Sequence, residues 1–249
     1  MKIVLWGYHE AGYRALRYLA AQGHDLFVVT QEAPPYVPSV TELAHALGVP
    51  LLVGPKREEM REEIARFGPD LGLSVYYPRI LSDEVIALPR QGAYNFHPSL
   101  LPRHRGCFSA PWAILEGDRE TGVTCHEMVA GVDEGRILCQ AHLAVSPDET
   151  AFSLYYKLVD AAVGLIPEAV AKATREDVAL WPQELGGCYH RRELPYGGVI
   201  DPAWPADKID RFIRAMHFPP HEPAKAQVGG TDIAVSSYAE YVALGGRAG

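Results

Sequence analysis

The stretch KIVLWGYHEAGYRALRYLAAQGHDLFVVT, residues 2–30, decides the fold class of this chain. Residues 2–6 are a short apolar run ending at Gly7, a pattern typical of a buried parallel strand. Residues 10–22 place apolar side chains at helical spacing, and Asp25–Thr30 is a second apolar run. A strand, a helix and another strand in this order form the repeating unit of α/β sheets.

The same alternation continues along the chain at a spacing of about 25 residues. It predicts a short helix capped by Ser39 or Thr41 and ending at Leu47, a strand over 50–53, a charged helix over 56–67, and strands over 70–77 and Ala93–His97. We therefore expect an α/β fold with a Rossmann-like, doubly wound, mostly parallel sheet. Ligands of such sheets gather at the carboxyl ends of the strands, which directs attention to His97.

The second half of the chain changes character near residue 180. Before that point the sequence predicts strands over 123–128 and Ile137–Ala144, and a helix starting at 146–149 and running to Ala173. After it come prolines, glycines and aromatics, a helix over 207–217, and one or two strands from residue 225. We expect two parts, a large domain over 1–180 and a small C-terminal α+β subdomain over 181–249.

Composition narrows the possible partners. The net charge is −8, the pI is about 5.7, and 48% of the residues are hydrophobic, as in an ordinary globular protein. An acidic chain is a poor binder of nucleic acid, and no apolar stretch reaches the ~18 residues of a membrane span. The four cysteines include no C-x-x-C pair, and the first residues, MKIVLWG, lack a signal-peptide pattern. We expect a cytoplasmic protein with reduced thiols, no nucleic-acid partner and no membrane partner.

One motif carries chemistry: Asn95-Phe96-His97-Pro98-Ser99-Leu100-Leu101-Pro102, followed by Arg105-Gly106 and Asp133-x-Gly135. On a strand, Asn95 and His97 point to the same face, and Asp133 lies in a loop between two predicted strands. A carboxylate beside a histidine raises the pKa of the imidazole and fixes its orientation. We therefore predict a catalytic group of Asn95, His97 and Asp133. The chain shows no metal-ligand spacing, so no metal site is predicted.

With these residues the chain resembles the formyltransferases that use 10-formyltetrahydrofolate, a family that includes enzymes acting on glycinamide ribonucleotide, methionyl-tRNA and sugar nucleotides. The resemblance covers residues 1–180 well and the remainder loosely. The segments Tyr8-His9-Glu10-x-Gly12, Tyr76-Tyr77 and Gly122-Val123-Thr124-x-His126-x-Met128 are most similar to the type that formylates UDP-4-amino-4-deoxy-L-arabinose.

The resemblance implies an enzyme that moves a formyl group from 10-formyltetrahydrofolate, its co-substrate, to the primary amine of a nucleotide-linked amino sugar. The setting would be cell-surface glycan or lipopolysaccharide biosynthesis. Asn95 and a protonated His97 would stabilise the tetrahedral oxyanion, or a neutral His97 would take the amine proton as general base. Asp133 would orient His97 in either case.

The resemblance also implies binding residues. Backbone groups at seven positions would hold the pterin: Tyr77, Arg79, Ile80, Leu81, Val129, Gly131 and Val132. Tyr8, His9, Ser99 and Arg105 are candidates for substrate contact. The region after 180 departs most from the family, and there residue type alone suggests nucleotide contacts, because an aromatic ring stacks on a base and a guanidinium suits a diphosphate. The candidates in that region are Tyr189, Arg191 and Trp204, together with Arg192 and Arg214. Several of these residues also have an alternative, purely structural interpretation. The loop with Tyr8 and His9 would be a tight strand-to-helix turn, Ser99 would cap a turn, Arg105 would pair with a local carboxylate, and Tyr189 and Trp204 would only pack.

Two rival functions remain open at this stage. A methionyl-tRNA formyltransferase carries a full C-terminal barrel and basic surfaces, whereas this acidic chain has only about 70 residues after 180. A catalytically silent folate- or nucleotide-binding module would not need Asn95, His97 and Asp133 together. Since members of the family are often dimers, we expect a homodimer, with residues 181–249 available for the contact.

Overall fold

The computed structural model describes residues 1–184 and 186–246. A seven-stranded sheet forms its centre, with strand order β3-β2-β1-β4-β5-β7-β8. Its strands are β1 (Lys2–Gly7), β2 (Asp25–Thr30), β3 (Leu51–Val53), β4 (Leu71–Val75), β5 (Ala93–His97), β7 (Glu120–Glu127) and β8 (Ile137–Ala144). Strands β1 to β5 run parallel, and β7 and β8 add an antiparallel edge. The expected mostly parallel sheet is confirmed.

Eight helices surround the sheet in the described part of the chain. They are α1 (His9–Ala21), α2 (Val40–Ala46), α3 (Arg57–Phe67), α4 (Asp83–Ile86), α5 (Ser109–Glu116), α6 (Ala151–Ala173), α7 (Ala206–Ala215) and α8 (Tyr238–Ala243). Buried side chains of α1, α2, α5, α6 and α7 share one hydrophobic cluster, and those of α3 and α4 share another. Helices therefore cover both faces of the sheet, which is the doubly wound arrangement.

The turn from β1 into α1 is tight for a packing reason. A Cβ on Gly12 would lie 2.5 Å from the carbonyl carbon of Gly7, a separation that only glycine permits. This close approach brings the first helix directly against the end of the first strand.

Two predicted boundaries need correction. The strand predicted over 70–77 ends at Val75, because Tyr76 takes a left-handed φ of 56° that no strand continues through. The helix predicted to start at 146–149 begins at Ala151, where Thr150 and Ser153 form a capping box. Helices α4, α5 and α8 were not predicted at all.

The C-terminal residues form short α+β elements. Strand β6 (Arg105–Gly106) pairs parallel with β9 (Tyr189–His190), and β10 (Ala224–Val228) pairs antiparallel with β11 (Thr231–Val235). Ile209 and Phe212 of α7 are fully buried in the same cluster as α5 and α6. Residues after 180 therefore pack onto the core of the preceding domain, and their separate role stays a prediction.

None of the helices in the described ranges is both long and apolar enough to cross a membrane.

Candidate active site

A cavity of about 460 Å³ opens at the carboxyl ends of β4 and β5. Its wall includes Asn95 and His97 from β5 and Asp133 from the turn between β7 and β8. The three residues predicted to be catalytic therefore meet at the sheet edge where α/β folds bind ligands.

The Asp-x-Gly motif shapes the turn that carries Asp133. Asp133 has a left-handed φ of 55°, a conformation that aspartate tolerates better than most residues. A Cβ on Gly135 would lie 1.8 Å from the Glu127 carbonyl oxygen, so the turn closes against β7 only with glycine there. The Gly106 amide donates to Asp133 Oδ2 at 2.9 Å and holds the carboxylate in place.

His97 is buried, with its two ring nitrogens facing different partners. Nε2 lies 2.8 Å from the carbonyl oxygen of His104, and Nδ1 lies 3.4 Å from Asp133 Oδ2. Because a carbonyl oxygen only accepts, Nε2 carries the proton of the neutral ring and Nδ1 carries the lone pair. Burial lowers the pKa of His97 despite Asp133 and the His104 carbonyl, which act to raise it, so the ring is neutral at pH 7.

Asp133 is ionised in this environment. Burial acts to raise the pKa of its carboxyl group, while the Gly106 amide, which donates to Oδ2 at 2.9 Å, acts to lower that pKa. The site thus holds a neutral imidazole beside a fixed negative charge.

Asn95 shares its amide with a second histidine. The antiparallel register of β5 and β7 places Asn95 opposite His126, and Asn95 Nδ2 lies 3.2 Å from His126 Nε2. His126 Nδ1 lies 2.8 Å from the Glu127 carbonyl oxygen, so Nδ1 is the protonated nitrogen and Nε2 accepts from Asn95. The other Asn95 N–H reaches Asp133 Oδ1 at 3.4 Å, the long limit of a hydrogen bond, and is the donor free to turn toward a ligand.

His126 and Ser109 were missed as site residues. His126 was noted only within the segment of family resemblance, and its place beside Asn95 depends on strand pairing that no local pattern encodes. Ser109 starts a helix that was not predicted, and its Oγ lies 3.3 Å from His97 Nε2.

All the residues predicted to hold a pterin line the cavity: Tyr77, Arg79, Ile80, Leu81, Val129, Gly131 and Val132. Ile80 is 81% exposed at the cavity mouth and Leu81 is buried behind it. Burial raises the pKa of the Tyr77 hydroxyl, which accepts from Gln31 Nε2 at 3.0 Å. Mostly apolar walls with a few fixed polar groups are typical of small-molecule sites of this volume.

The residues predicted to contact substrate divide into two groups. Two of the candidates, Tyr189 and Arg192, line the cavity, whereas Arg191 lies outside its lining. Tyr8 and His9 lie at the carboxyl end of β1 outside the lining. Burial raises the pKa of the Tyr8 hydroxyl, and Arg192 acts in the opposite direction.

Three residues predicted to contact the substrate make other contacts in the structure. Ser99 is fully buried and donates to the Arg103 carbonyl oxygen at 2.6 Å, so it caps a turn and has no free face for substrate. Arg105 pairs with Glu134 at 2.9 Å, which is the local carboxylate alternative. Trp204 lies outside the cavity, packing edge-on against Phe212 of α7 at 5.2 Å between ring centroids.

The Formyl transferase family model matches residues 10–170. The fold, the cavity and this match agree, and the chain belongs to the formyl transferase family. It is 40% identical over 188 residues to the GDP-perosamine N-formyltransferase of Brucella melitensis biotype 1, covering 75% of this chain and 72% of that one. The expected family and class of enzyme are confirmed.

Solved structures support the same fold. The N-formyltransferase from Helicobacter canadensis, in complex with folinic acid and dTDP-3-aminofucose, aligns with a TM-score of 0.73 and 19% identity over 94% of this chain and 86% of that one. A 4-N formyltransferase from Francisella tularensis aligns with a TM-score of 0.76 and 19% identity over 94% of this chain and 96% of that one.

Proposed function

We propose that this protein transfers a formyl group from 10-formyltetrahydrofolate to the primary amine of a nucleotide-linked amino sugar, with GDP-perosamine as the first substrate to test. The observation that carries the proposal is the convergence of Asn95, His97 and Asp133 on one cavity. The choice of a GDP sugar follows the relative that is 40% identical, and it replaces the UDP sugar that the sequence motifs favoured.

The cavity suits a folate co-substrate. The segments 77–81 and 129–132 both line it, and we expect their backbone amides and carbonyls to bind the flat heterocycle of the folate. 10-Formyltetrahydrofolate supplies a formyl carbon bound to nitrogen, whose oxygen gains negative charge as an amine adds to the carbon.

His97 acts as the general base in this proposal. Its Nδ1, which lies 3.4 Å from Asp133 Oδ2, accepts the proton that the substrate amine loses as its nitrogen bonds to the formyl carbon. The resulting imidazolium lies between the Asp133 carboxylate and the His104 carbonyl oxygen, which both stabilise its charge. The same proton then passes from Nδ1 to the departing nitrogen, leaving a formamide and the neutral ring.

Asn95 supplies the donor for the developing oxyanion. One N–H stays on His126 Nε2, and the long contact to Asp133 is exchanged for the substrate oxygen. A preorganised donor of this kind lowers the barrier by about 3 kcal/mol. The nucleotide would extend past Tyr189 and Arg192, where an aromatic ring suits a base and a guanidinium suits a diphosphate.

We place this reaction in the cytoplasm, in cell-surface glycan or lipopolysaccharide biosynthesis, and we expect a homodimer. The likeness to sugar-nucleotide enzymes and the acidic charge support this reading over one in which tRNA is the acceptor.

The test is tetrahydrofolate release with matched acceptors. Purified protein and 10-formyltetrahydrofolate are mixed with GDP-perosamine, with dTDP- and UDP-linked amino sugars, or with charged initiator tRNA. We expect formylation of an amino sugar, with the GDP sugar giving the highest kcat/KM. Transfer to tRNA alone, or equal release by wild type and His97→Ala, would show that the proposal is wrong.

A further inference from the structure

Three side chains that can ligate a metal lie close together where β6 pairs with β9. His104 Nδ1 lies 3.0 Å from His190 Nε2, and Cys188 Sγ lies 3.6 Å and 3.4 Å from these two nitrogens. Within residues 1–184 and 186–246, no other three histidine, cysteine or acidic side chains bring their ligand atoms together in this way. The cluster lies outside the residues that line the proposed folate cavity.

These separations match the edges of a zinc tetrahedron. With Zn–N of about 2.05 Å and Zn–S of about 2.3 Å, tetrahedral angles place two nitrogens about 3.3 Å apart and a nitrogen about 3.6 Å from the sulfur. The nitrogen–sulfur separations already have these values within 0.2 Å, and the nitrogens need to part by only about 0.3 Å. One ion can therefore contact all three atoms with small side-chain shifts.

His104 is already oriented as a ligand. Its ring is 4% exposed, and Nε2 lies 2.8 Å from Asp118 Oδ2. A carboxylate only accepts, so the proton lies on Nε2 and the Nδ1 lone pair points at Cys188 and His190. A carboxylate behind a histidine in this way fixes the tautomer and strengthens the ring as a metal ligand.

The other two ligands are held by backbone and stacking. The His190 ring stacks on Trp112 at 4.2 Å and 10° between planes. The Arg105 amide donates to the Cys188 carbonyl at 2.9 Å, and the Cys107 amide donates to the His190 carbonyl at 3.0 Å. The His104 amide lies 3.4 Å from Cys188 Sγ, where it would donate to a thiolate.

We propose that His104 Nδ1, His190 Nε2 and the Cys188 thiolate bind one zinc ion, with the fourth position open to water. Two imidazoles and one sulfur suit zinc far better than magnesium or calcium, which prefer oxygen ligands. Binding releases the Cys188 thiol proton to solvent, and the thiolate donates the electron pair to the metal. The sequence predicted no metal because Cys188 and His104 lie 84 residues apart in the chain.

The ion would fix strand β9 against residues 104–106, whose main-chain atoms contact His97 and Asp133. The carbonyl of His104 accepts from His97 Nε2, and the Gly106 amide donates to Asp133. Gly106 pairs with His190 of β9, and His104 directly precedes the paired residues Arg105 and Gly106. His104, Cys188 and His190 are thus positioning residues, and the zinc site does not depend on which amino sugar is the substrate.

The experiment is metal analysis of tag-free protein purified without chelators. We expect about one zinc ion per chain and, after removal of the metal, rebinding with a Kd below about 1 µM.

Cobalt substitution of the apo-protein should give tetrahedral d–d bands and a thiolate charge-transfer band. Cys188→Ser should lose the charge-transfer band, and Cys188→Ser combined with His190→Gln should lose most of the metal. Alkylation of the exposed Cys188 should be slow in the zinc form and fast after chelation.

Two variants are matched controls for metal content. His142→Ala removes a surface histidine that is 57% exposed beside Glu120, and Cys107→Ser removes a thiol outside the cluster. Both should keep the full zinc stoichiometry.

If the wild type neither contains zinc nor rebinds zinc or cobalt with a Kd tighter than about 10 µM, the proposal is overturned. Full metal content in the double variant would overturn it as well. Should a variant fail to fold, the wild-type cobalt spectrum decides, because only thiolate ligation gives the charge-transfer band.

Discussion

Replacing Asp133 by asparagine removes one charge from the catalytic group while keeping nearly the same shape. The carboxamide oxygen can still accept from the Gly106 amide, but it no longer faces the His97 imidazolium with a full negative charge. At the 3.4 Å between His97 Nδ1 and Asp133 Oδ2, and with an effective dielectric constant of about 20, this attraction is worth about 5 kcal/mol.

This attraction is the upper limit of the increase in activation free energy that the substitution can cause. The amide dipole retains part of the attraction, and half of the ceiling, about 2.5 kcal/mol, corresponds to about 70-fold in rate. We therefore expect Asp133→Asn to lower kcat by between about 70-fold and about 5,000-fold, with a small change in KM for the amino sugar. Steady-state tetrahydrofolate release measures both constants.

The pH profile adds a second readout. A base must be neutral to work, so activity falls as pH drops through the pKa of His97. Asp133 acts to raise that pKa, so its neutralisation should move the acid limb of kcat/KM to lower pH. Glu134→Gln is the control, since Glu134 is 56% exposed and pairs with Arg105, and its kcat should stay within about twofold of wild type. A kcat of Asp133→Asn within threefold of wild type, or loss of activity as pH rises through the pKa of His97, would refute the base mechanism.

Three further changes have defined outcomes. Asn95→Ala should lower kcat by about 100- to 1,000-fold through loss of the oxyanion donor, and an unchanged kcat in the same release assay would remove Asn95 from the mechanism. Gly135→Ala should destabilise the fold by about 2 kcal/mol or more, since the new Cβ meets the Glu127 carbonyl oxygen, and thermal unfolding matching wild type would contradict this packing. Thr150→Ala should cost about 1 kcal/mol by breaking the capping box with Ser153, a fall of about 2–4 °C in Tm. Loss of activity with no fall in Tm would give Thr150 a role other than capping.

Local patterns were enough to predict the first half of the sheet. The apolar runs of β1 and β2 and the helix between them were read from periodicity, and β2 has the predicted bounds. The same-face placement of Asn95 and His97 follows from strand geometry alone. Asp133 was assigned to their site because it lies in a loop between two predicted strands and because the Asp-x-Gly motif resembles that of the formyltransferases.

Long-range pairing accounts for what was missed. His126 reaches the site only because β5 pairs with β7, and Cys188 reaches His104 only because β9 pairs with β6. Polar residues between 146 and 149 look like a helix start, but the reciprocal hydrogen bonds of Thr150 and Ser153 place the true start later. Such choices depend on contacts between specific atoms, which composition and periodicity do not record.

Residues 104–106 join the chemistry of the site through main-chain atoms. One carbonyl in this tripeptide sets the tautomer of the base, and one amide two residues later fixes the acid. Exchange of the middle side chain, Arg105, therefore leaves both main-chain contacts available. A single-residue insertion here would instead misalign base and acid together, and no compensating side-chain change elsewhere would restore their spacing.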